Sequence, residues 1–312
     1  MRRILTWHVH GNYLYYLTRV KSCDFYIPFK KSGGLGYEAI GSGFPWGKNV
    51  HQVPAEEIKR LGLDLILFQS SYPENKIYLQ DQFEILSKDQ LTLPKVYLEH
   101  EPPRDLPTDT KHITASSDTF LVHVTHFNNL MWDSGQTATR VIEHGVVAPE
   151  IPYIGDLPKG AVVINNLDKR GRRLGRDVFE RVKKEVPLDL IGIDSENLGG
   201  LGEIPHQELL KALSRYRFLF NPARYTSLGL AICEAMMIGL PVVGLATTEM
   251  VTVVQSGISG FLDTNIEALI PQMKLLINDQ NLARQMGKES RQIAQKRFDI
   301  QRFVKDWEEV LG

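Results

Sequence analysis

The chain has 312 residues, and at roughly 150 residues per domain this length predicts two domains. Hydrophobic residues make up 43% and charged residues 23% of the sequence, which is the composition of an ordinary globular protein. The formal net charge of −1 argues against a nucleic-acid-binding protein, because such proteins usually carry a basic excess.

Short apolar runs recur along the chain and predict parallel strands that are buried on both faces. Each run is continuous and too short for a helix, and most are bounded by Gly, Pro, Asp or Asn. The predicted strands are residues 4–9, 63–68, 96–98, 120–124, 161–164, 188–193, 218–220 and 242–245. Several segments between these strands have apolar residues at helical spacing and predict helices, at 178–186, 205–216 and 266–277. Strands that alternate with helices predict parallel sheets with right-handed crossovers.

The N-terminal sequence does not match a signal peptide, because its apolar run is short and contains His8 and His10. Residues 228–246 resemble a membrane span in their hydrophobicity, but they include Glu234, Pro241 and three glycines. We therefore expect a buried helix, a turn and a strand there. The two cysteines lie far apart in sequence and favour a reducing compartment such as the cytoplasm.

The segment 144–152 predicts a link between two domains, because it has two prolines, a glycine and no periodicity. With a boundary near 149–158, the domains are residues 1–149 and 150–312. We expect two doubly wound α/β domains that face each other across a cleft. Residues 280–311 predict at least two helices, and the apolar face of the last one is suited to pack back on the N-terminal domain.

A basic run at residues 169–176 predicts an anion site. It contains Lys169, Arg170, Arg172, Arg173 and Arg176, with no acidic residue among them. The run precedes a predicted helix, whose N-terminus already carries a partial positive charge, so the cluster becomes favourable when an anion joins it. A phosphate group fits this pattern, and a solvated basic face is the alternative.

Glu234 lies in an apolar helix in which no neighbour at three or four residues can pair with a carboxylate. Burying the carboxylate costs several kcal/mol unless hydrogen-bond donors reach it. Those donors are either sugar hydroxyls or a structural partner from another segment. The preceding loop, with Thr226, Ser227 and Gly229, either offers free amides to a phosphate or sugar oxygen or forms a plain helix cap.

Histidines concentrate in the first 150 residues at or near the predicted strand ends. The six are His8, His10, His100, His123, His126 and His144. His100 precedes two prolines and is the best candidate for a group that positions a substrate or moves a proton. No spacing typical of a metal site is present, nor a P-loop, and the glycines at 33–36 match only part of a dinucleotide fingerprint.

The segment 226–243, TSLGLAICEAMMIGLPVV, resembles the donor-site signature EGFGLxxLEAMAxGxPVV of family-4 retaining glycosyltransferases, which have the GT-B fold. Further segments match that family in register, at 95–100, 140–146, 201–205 and 254–262. The resemblance covers most of residues 90–312, and the first 90 residues match only as a generic strand, glycine-bearing loop and helices.

The resemblance implies a GT-B-like protein with two Rossmann-like domains, the first on the acceptor side and the second binding the donor. It implies transfer of a hexose-like sugar from a nucleotide-diphosphate sugar, such as a UDP- or GDP-sugar, with retention of anomeric configuration and without a metal or cofactor. The resemblance does not identify the acceptor, and sugars, lipid-linked molecules and proteins are all candidates. Because lipid-linked acceptors occur in the family, peripheral contact with the inner face of a membrane stays open too.

Family roles carry over to the matching positions of this sequence. Glu234 would take the ribose hydroxyls, and Arg170, followed by Gly171, would bind the diphosphate. Gly11 and His100 would complete the site from the first domain, with His100 and Glu234 as the catalytic candidates. The amides that would contact the distal phosphate or the sugar are those of Ser227, Leu228, Gly229 and Leu230.

Two positions depart from the family pattern. Thr226 stands where the family has the first of two glutamates, and Asn166 stands where it has a diphosphate-binding arginine. Both remain donor-site candidates, with Arg172, Arg173 or Arg224 able to replace the missing arginine. The departures keep two other functions open, a catalytically silent GT-B scaffold and a nucleotide-sugar epimerase.

Overall fold

The structure, a computed structural model, describes residues 1–41, 43–70, 82–115 and 118–312. It divides into two compact units. The N-terminal unit is Met1–Gly145 together with Ile300–Gly312, and the C-terminal unit is Val146–Asp299. The division at 145/146 lies within the proline- and glycine-containing segment 144–152.

The N-terminal unit contains a seven-stranded parallel sheet in the order β3-β2-β1-β4-β5-β6-β7. Its strands are β1 Arg2–Thr6, β2 Cys23–Phe29, β3 Val50–Pro54, β4 Leu65–Ser70, β5 Lys95–Glu99, β6 Phe120–His123 and β7 Thr139–Val141. The strand order reverses between β1 and β4. In doubly wound sheets, ligands bind beyond the carboxyl ends of the strands at such a reversal.

The C-terminal unit contains a five-stranded parallel sheet in the order β12-β11-β10-β8-β9. Its strands are β8 Leu157–Val163, β9 Leu188–Ile191, β10 Tyr216–Asn221, β11 Val242–Leu245 and β12 Gly260–Asp263. Every side chain of β11 is buried, as expected for a strand covered on both faces. The core around it includes Phe179, Phe218 and Met273, all fully buried.

Helices connect the strands in both units. The α-helices whose bounds the structure gives are α1 Gly11–Leu17, α2 His126–Met131, α3 Leu167–Arg170, α4 Arg176–Lys183, α5 His206–Leu213, α6 Leu230–Ile238, α7 Met250–Val253, α8 Ile266–Asn278, α9 Gln280–Arg297 and α10 Ile300–Leu311. Short 3₁₀ segments lie at Ala55–Arg60, Gln90–Thr92, Gly171–Leu174 and Ser195–Leu198.

The last helix, α10, belongs to the N-terminal unit. Its apolar stripe, Phe303, Trp307 and Leu311, is fully buried. Trp307 donates its indole N–H to the Tyr13 hydroxyl of α1 at 3.1 Å, and Arg2 of β1 donates to the Leu311 carbonyl at 2.6 Å. The C-terminal helix is thus attached to the N-terminal unit by apolar packing and by hydrogen bonds to α1 and to Arg2 of β1.

The prediction for residues 228–246 is confirmed. Helix α6 has seven buried residues out of nine, the turn contains Gly239 at φ 102°, and β11 follows. Within the described part of the chain, no helix is long and apolar enough to cross a membrane.

The first strand is shorter than predicted. β1 ends at Thr6, and a tight turn follows in which the Val9 N–H donates to the Trp7 carbonyl at 3.1 Å. His8 therefore lies in a loop, outside the strand that was predicted to reach residue 9. The segment 201–205 is also irregular, although the Leu201 N–H bonds to a carbonyl of β9 at 2.8 Å.

Candidate functional site

Two loops at the carboxyl edge of the C-terminal sheet carry most of the predicted site residues. Strands β8 and β10 are parallel neighbours, so the loops that follow them emerge at the same edge. The loop after β8 contains Asn166, Arg170 and Arg172, and the loop after β10 contains Thr226 and the residues that lead into α6.

The loop after β8 folds tightly before α4 begins. Asn166 has a left-handed conformation at φ 54°, α3 makes one turn, and Gly171 reverses the chain at φ 58°. The Arg170 N–H donates to the Asn166 carbonyl at 3.0 Å, and a Cβ on Gly171 would meet no atom within 4 Å. The predicted diphosphate segment is therefore a compact turn with open space beside Gly171.

Backbone hydrogen bonds join the two loops. The N–H groups of Arg224 and Tyr225 both donate to the Arg173 carbonyl, at 2.9 and 3.2 Å. The Arg173 guanidinium donates back to the Tyr225 carbonyl at 3.3 Å, and Arg224 donates to the Arg172 carbonyl at 2.8 Å. Because each loop holds the other, the two form one structural element.

Several of the basic side chains form ion pairs. Lys169 binds Asp194 at 2.5 Å and Arg172 binds Asp177 at 2.6 Å, and both basic side chains are largely exposed. Asp177 also receives two hydrogen bonds from Arg224, which lower the pKa of its carboxyl group. The basic run is thus partly neutralised by Asp194, from the loop after β9, and by Asp177, which directly follows the run.

A third cation of the run, Arg176, binds Asp168 at 2.8 Å. Asp168 lies just before the run and Asp177 just after it, so both were visible in the sequence as flanking acids. Among the predicted diphosphate ligands, Arg172 thus has a carboxylate partner in Asp177.

Glu234 lies in the middle of α6 with only 2% of its surface exposed. Its Oε1 is 2.7 Å from Nε2 of His206, the first residue of α5. A buried carboxylate requires a donor, and this imidazole is one. The sequence indicated that Glu234 requires a hydrogen-bond donor. It did not indicate His206, because nothing in the residue pattern links these two positions, which are 28 residues apart.

The start of α6 is suited to bind an anion. Gly229 occupies the N-cap position at φ −76°, and no side chain caps the helix, so the predicted alternative of a plain side-chain cap is wrong. A Cβ at Gly229 would meet no atom within 4 Å. Ser227 is buried, and no described residue hydrogen-bonds its hydroxyl. Uncapped amides, open space and a buried hydroxyl together form a donor set for a phosphate or sugar oxygen.

The other residues of the loop that leads into α6 differ in how far they are buried. Leu228 is buried, Gly229 is exposed, and Thr226 and Leu230 are half-buried. The side chain of Leu228 therefore anchors the loop in the core, and its contribution to a ligand is limited to backbone atoms.

His100 follows β5 in the N-terminal unit and is 8% exposed. Its Nε2 lies 3.1 Å from Oε1 of Gln69, and its ring centroid is 4.2 Å from that of His10. Burial, reinforced by the nearby His10 and His144, holds the pKa of His100 well below its ordinary value. The imidazole is therefore neutral at neutral pH.

Gly11, the other candidate of this unit, is the first residue of α1. A Cβ there would lie 3.2 Å from Nε2 of His8 and 3.3 Å from a ring carbon of Phe44. Glycine at this position thus fits a tight approach between the helix start and two aromatic side chains.

A buried polar network fixes the turn that presents His100. Glu99 accepts from the Glu101 N–H at 2.9 Å through Oε1, and its Oε2 lies 3.2 Å from Nε2 of His112. Nδ1 of His112 lies 3.2 Å from the Thr114 N–H, which can only donate. Nδ1 therefore accepts and Nε2 donates to Glu99. This network was not predicted, because its members lie on separate loops.

His123 makes the N-terminal unit sensitive to acid. It is fully buried, no described residue hydrogen-bonds its ring, and burial lowers its pKa from 6.5 to about 3. The unfolded chain binds this proton below about pH 6.5 and the folded chain does not, so the free energy of unfolding falls as pH drops towards 3. At pH 5 the loss is about 2 kcal/mol relative to pH 7.

We expect His123→Leu to remove that part of the pH dependence in urea unfolding at pH 7 and pH 5. The exposed His126, replaced by Gln, is the control and should leave the difference unchanged. An equal pH dependence in wild type and His123→Leu would contradict the expectation.

Among the described residues, no group of three or more His, Cys, Asp or Glu side chains is arranged to hold a metal ion. The ring centroid of Tyr13 lies 4.8 Å from that of His100 and 5.7 Å from that of His144, and His10 packs on His100.

Comparisons with known proteins find a family model that matches part of the C-terminal unit. Residues 195–293 match the model of the glycosyl transferases group 1. An uncharacterized glycosyltransferase of Haemophilus influenzae is 32% identical to this chain over 93 residues, which are 29% of the chain. The match spans 26% of that relative, about a quarter of its length.

Solved structures share the fold over nearly the whole chain. A sucrose-phosphate synthase from Thermosynechococcus elongatus has a TM-score of 0.71 at 16% identity, covering 99% of this chain and 98% of its own. A glycosyltransferase from Rickettsia africae has a TM-score of 0.66 at 13% identity, covering 99% and 97%. Anabaena HepE, solved with UDP and glucose, has a TM-score of 0.65 at 15% identity, covering 100% and 99%.

These neighbours and the two parallel sheets confirm the predicted GT-B-like α/β fold. The predicted resemblance to group 1 glycosyltransferases is confirmed as well, while family 4 and retention stay predictions. Residues 195–293, which include the Glu234 helix, match the glycosyl transferases group 1, and the chain that carries them has the GT-B fold.

Proposed function

We propose that this protein is a glycosyltransferase that takes its sugar from a nucleotide-diphosphate sugar. The observation that carries the proposal is the buried carboxylate of Glu234, five residues after the uncapped, open helix start at Gly229. One element thus places an acceptor for ribose hydroxyls next to donors for phosphate oxygens. The complex of Anabaena HepE with UDP-glucose supports a nucleotide sugar as the donor class.

The charges of the loop after β8 suit the leaving group. Breaking the bond between sugar and diphosphate develops negative charge on the phosphate oxygens, and preorganised cations and amides stabilise it. Arg170, together with the amides at the start of α6, would supply this stabilisation from the protein itself. We therefore propose that the transfer requires no metal, and, from the resemblance of residues 226–243 to retaining enzymes, that the anomeric configuration is retained.

Calorimetric titration with UDP, GDP and UDP-glucose, followed by a turnover assay with candidate acceptors, tests this function. Binding of a nucleotide diphosphate with transfer that depends on an acceptor supports it. Release of an isomerised nucleotide sugar would instead identify an epimerase, and the absence of nucleotide binding would reject the donor site.

A catalytically silent scaffold is the second candidate. It is favoured by Thr226 and Asn166, which replace a glutamate and an arginine of the signature that this chain resembles. Asn166 is the N-cap residue of α3, but its side chain makes no capping hydrogen bond. Helix capping therefore does not explain why asparagine stands at this position. Nucleotide binding without turnover on any acceptor would favour this candidate.

Arg170→Ala is expected to weaken the binding of UDP by about tenfold and to leave the binding of uridine nearly unchanged, because one charge-assisted contact to phosphate is lost. Calorimetry with both ligands measures the two effects. Lys169→Ala is the matched control, since Lys169 is 70% exposed and already paired with Asp194. Equal weakening of UDP and uridine would contradict the phosphate role of Arg170.

A further inference from the structure

Gln69 lies at the carboxyl end of β4, next to β1 and β5, and it is fully buried. Its Nε2 donates to Oγ1 of Thr6 at 2.8 Å and to the carbonyl of Trp7 at 3.1 Å. Its Oε1 lies 3.1 Å from Nε2 of His100. One amide thus connects the ends of three neighbouring strands, at the point where the strand order of the sheet reverses.

The contacts determine which way the amide of Gln69 points. A backbone carbonyl can only accept a hydrogen bond, so the group that faces Trp7 must be the NH₂. The oxygen of the amide then faces His100. Exchanging the two atoms would place two oxygens against each other at Trp7 and is excluded by that repulsion.

The orientation of Gln69 in turn determines where the proton of His100 resides. An amide oxygen only accepts, so Nε2 of His100 must carry the proton and donate it. Because burial, His10 and His144 lower the pKa of His100, the ring carries no second proton at neutral pH. Its Nδ1 is therefore an unprotonated acceptor, and no residue in the described ranges hydrogen-bonds it.

The aromatic neighbours of His100 do not compete for this proton. Tyr13 meets the imidazole edge to face, with an angle of 87° between the rings, and its hydroxyl accepts from Trp307. His10 packs at 64° to the ring, again as an aromatic contact. The hydrogen bond to Gln69 is thus the polar contact that decides the tautomer.

We propose that Gln69 is a positioning residue that holds His100 as the Nε2–H tautomer, so that Nδ1 accepts a hydrogen bond from a hydroxyl group of a sugar substrate. The identity of the ligand as a sugar rests on the proposed function. The tautomer rests on the contacts of Gln69 and on the burial of His100 and is independent of the ligand, so the two parts are tested separately.

Nitrogen-15 NMR of the full chain with labelled histidine reports the tautomer directly. The His100 signals are assigned by their loss in His100→Gln. We expect the Nε2–H pattern in the wild-type protein from about pH 6 to pH 8. An Nδ1–H pattern, or an imidazolium in that range, would overturn the proposal whatever the variants do.

The variant Gln69→Leu removes the acceptor, and Thr6→Val is its matched control, because it removes a hydrogen bond of Gln69 without touching the one to His100. In Gln69→Leu we expect a mixture of tautomers and a kcat about tenfold lower, with the KM for the nucleotide sugar changed less than about twofold. In Thr6→Val we expect the wild-type tautomer and a kcat within about twofold of wild type.

An unchanged tautomer in Gln69→Leu, or an equal loss of kcat in both variants, would overturn the positioning role. Should Gln69→Leu fail to fold, the wild-type spectrum still tests the proposal, because an Nδ1–H pattern or an imidazolium there would overturn it. UDP calorimetry on the same samples separates the two proposals, because absent UDP binding rejects the proposed function and leaves the tautomer result standing.

Discussion

Replacing Glu234 with alanine is expected to lower the affinity for UDP by about 100-fold. In the proposed complex the carboxylate accepts hydrogen bonds from two ribose hydroxyls, and each charge-assisted bond contributes about 1.5 kcal/mol. Together they account for about two factors of ten in the dissociation constant. Isothermal calorimetry of wild type and Glu234→Ala measures the difference.

A second ligand shows whether this effect comes from the ribose. Wild type should bind 2′-deoxy-UDP about tenfold more weakly than UDP, and Glu234→Ala should bind the two equally, because its partner for that hydroxyl is gone. If Glu234→Ala still bound UDP more tightly than 2′-deoxy-UDP, the proposed contact between Glu234 and the ribose would be contradicted. Glu249→Gln is the structural control, since Glu249 is an equally buried carboxylate paired with Arg297 at 2.8 Å.

His206 explains why Glu234→Gln is also informative. The imidazole Nε2 contacts Oε1 of Glu234 at 2.7 Å, and glutamine keeps an oxygen for this contact. Folding should therefore survive better in Glu234→Gln than in Glu234→Ala, while affinity for UDP still falls, by about tenfold, because one ribose acceptor is lost. A thermal unfolding midpoint measured beside the affinity distinguishes loss of fold from loss of binding.

Much of the sheet architecture was predictable because the strands are continuous apolar runs. β10 and β11 are buried almost throughout, and such strands differ clearly from a segment with one solvent-exposed face. β2 and β3 were missed for the opposite reason. β2 alternates buried and half-buried residues, and β3, at the edge of the sheet, is only half-covered, so neither produces an unbroken apolar run.

The site was predictable where one local segment carries it. The loop and helix from Thr226 to Glu234 form a continuous motif, and its glycine and carboxylate lie where the sequence indicated. Contacts between distant segments were not predictable in the same way. The hydrogen bond from His100 to Gln69 joins residues 31 positions apart, and only the sheet order brings them together.

The basic run shows how such distant contacts change an interpretation. From sequence it was one cluster of five cations that required an anion. In the structure, the distant Asp194 and the flanking Asp168 and Asp177 neutralise part of it, and Arg224 from the next loop adds a further charge. Arg170, which the family resemblance matches to the diphosphate, lies in a turn where its N–H donates to the Asn166 carbonyl.

Gly175 is expected to be the most sensitive position in that turn. It has φ 80°, and a Cβ there would lie 2.0 Å from the Pro222 carbonyl oxygen and 2.5 Å from its carbonyl carbon. Alanine would thus incur both the left-handed backbone penalty, about 1 kcal/mol, and an overlap between two backbones that neither loop can relieve by rotating a side chain. We expect Gly175→Ala to lower the free energy of unfolding by about 3 kcal/mol or more.

Gly199→Ala is the matched control, because Gly199 has a similar backbone, φ 69° and ψ 33°, while its Cβ would meet only the flexible end of Lys183 at 3.3 Å. The free energy of unfolding of Gly199→Ala should be about 1 kcal/mol lower than that of wild type. Urea unfolding of both variants gives the comparison, and equal losses would show that the approach of Gly175 to Pro222 is not rigid. Because Pro222 and Arg224 share one loop, displacing Gly175 should also separate Arg173 from its partners, so UDP affinity should fall in Gly175→Ala and persist in Gly199→Ala.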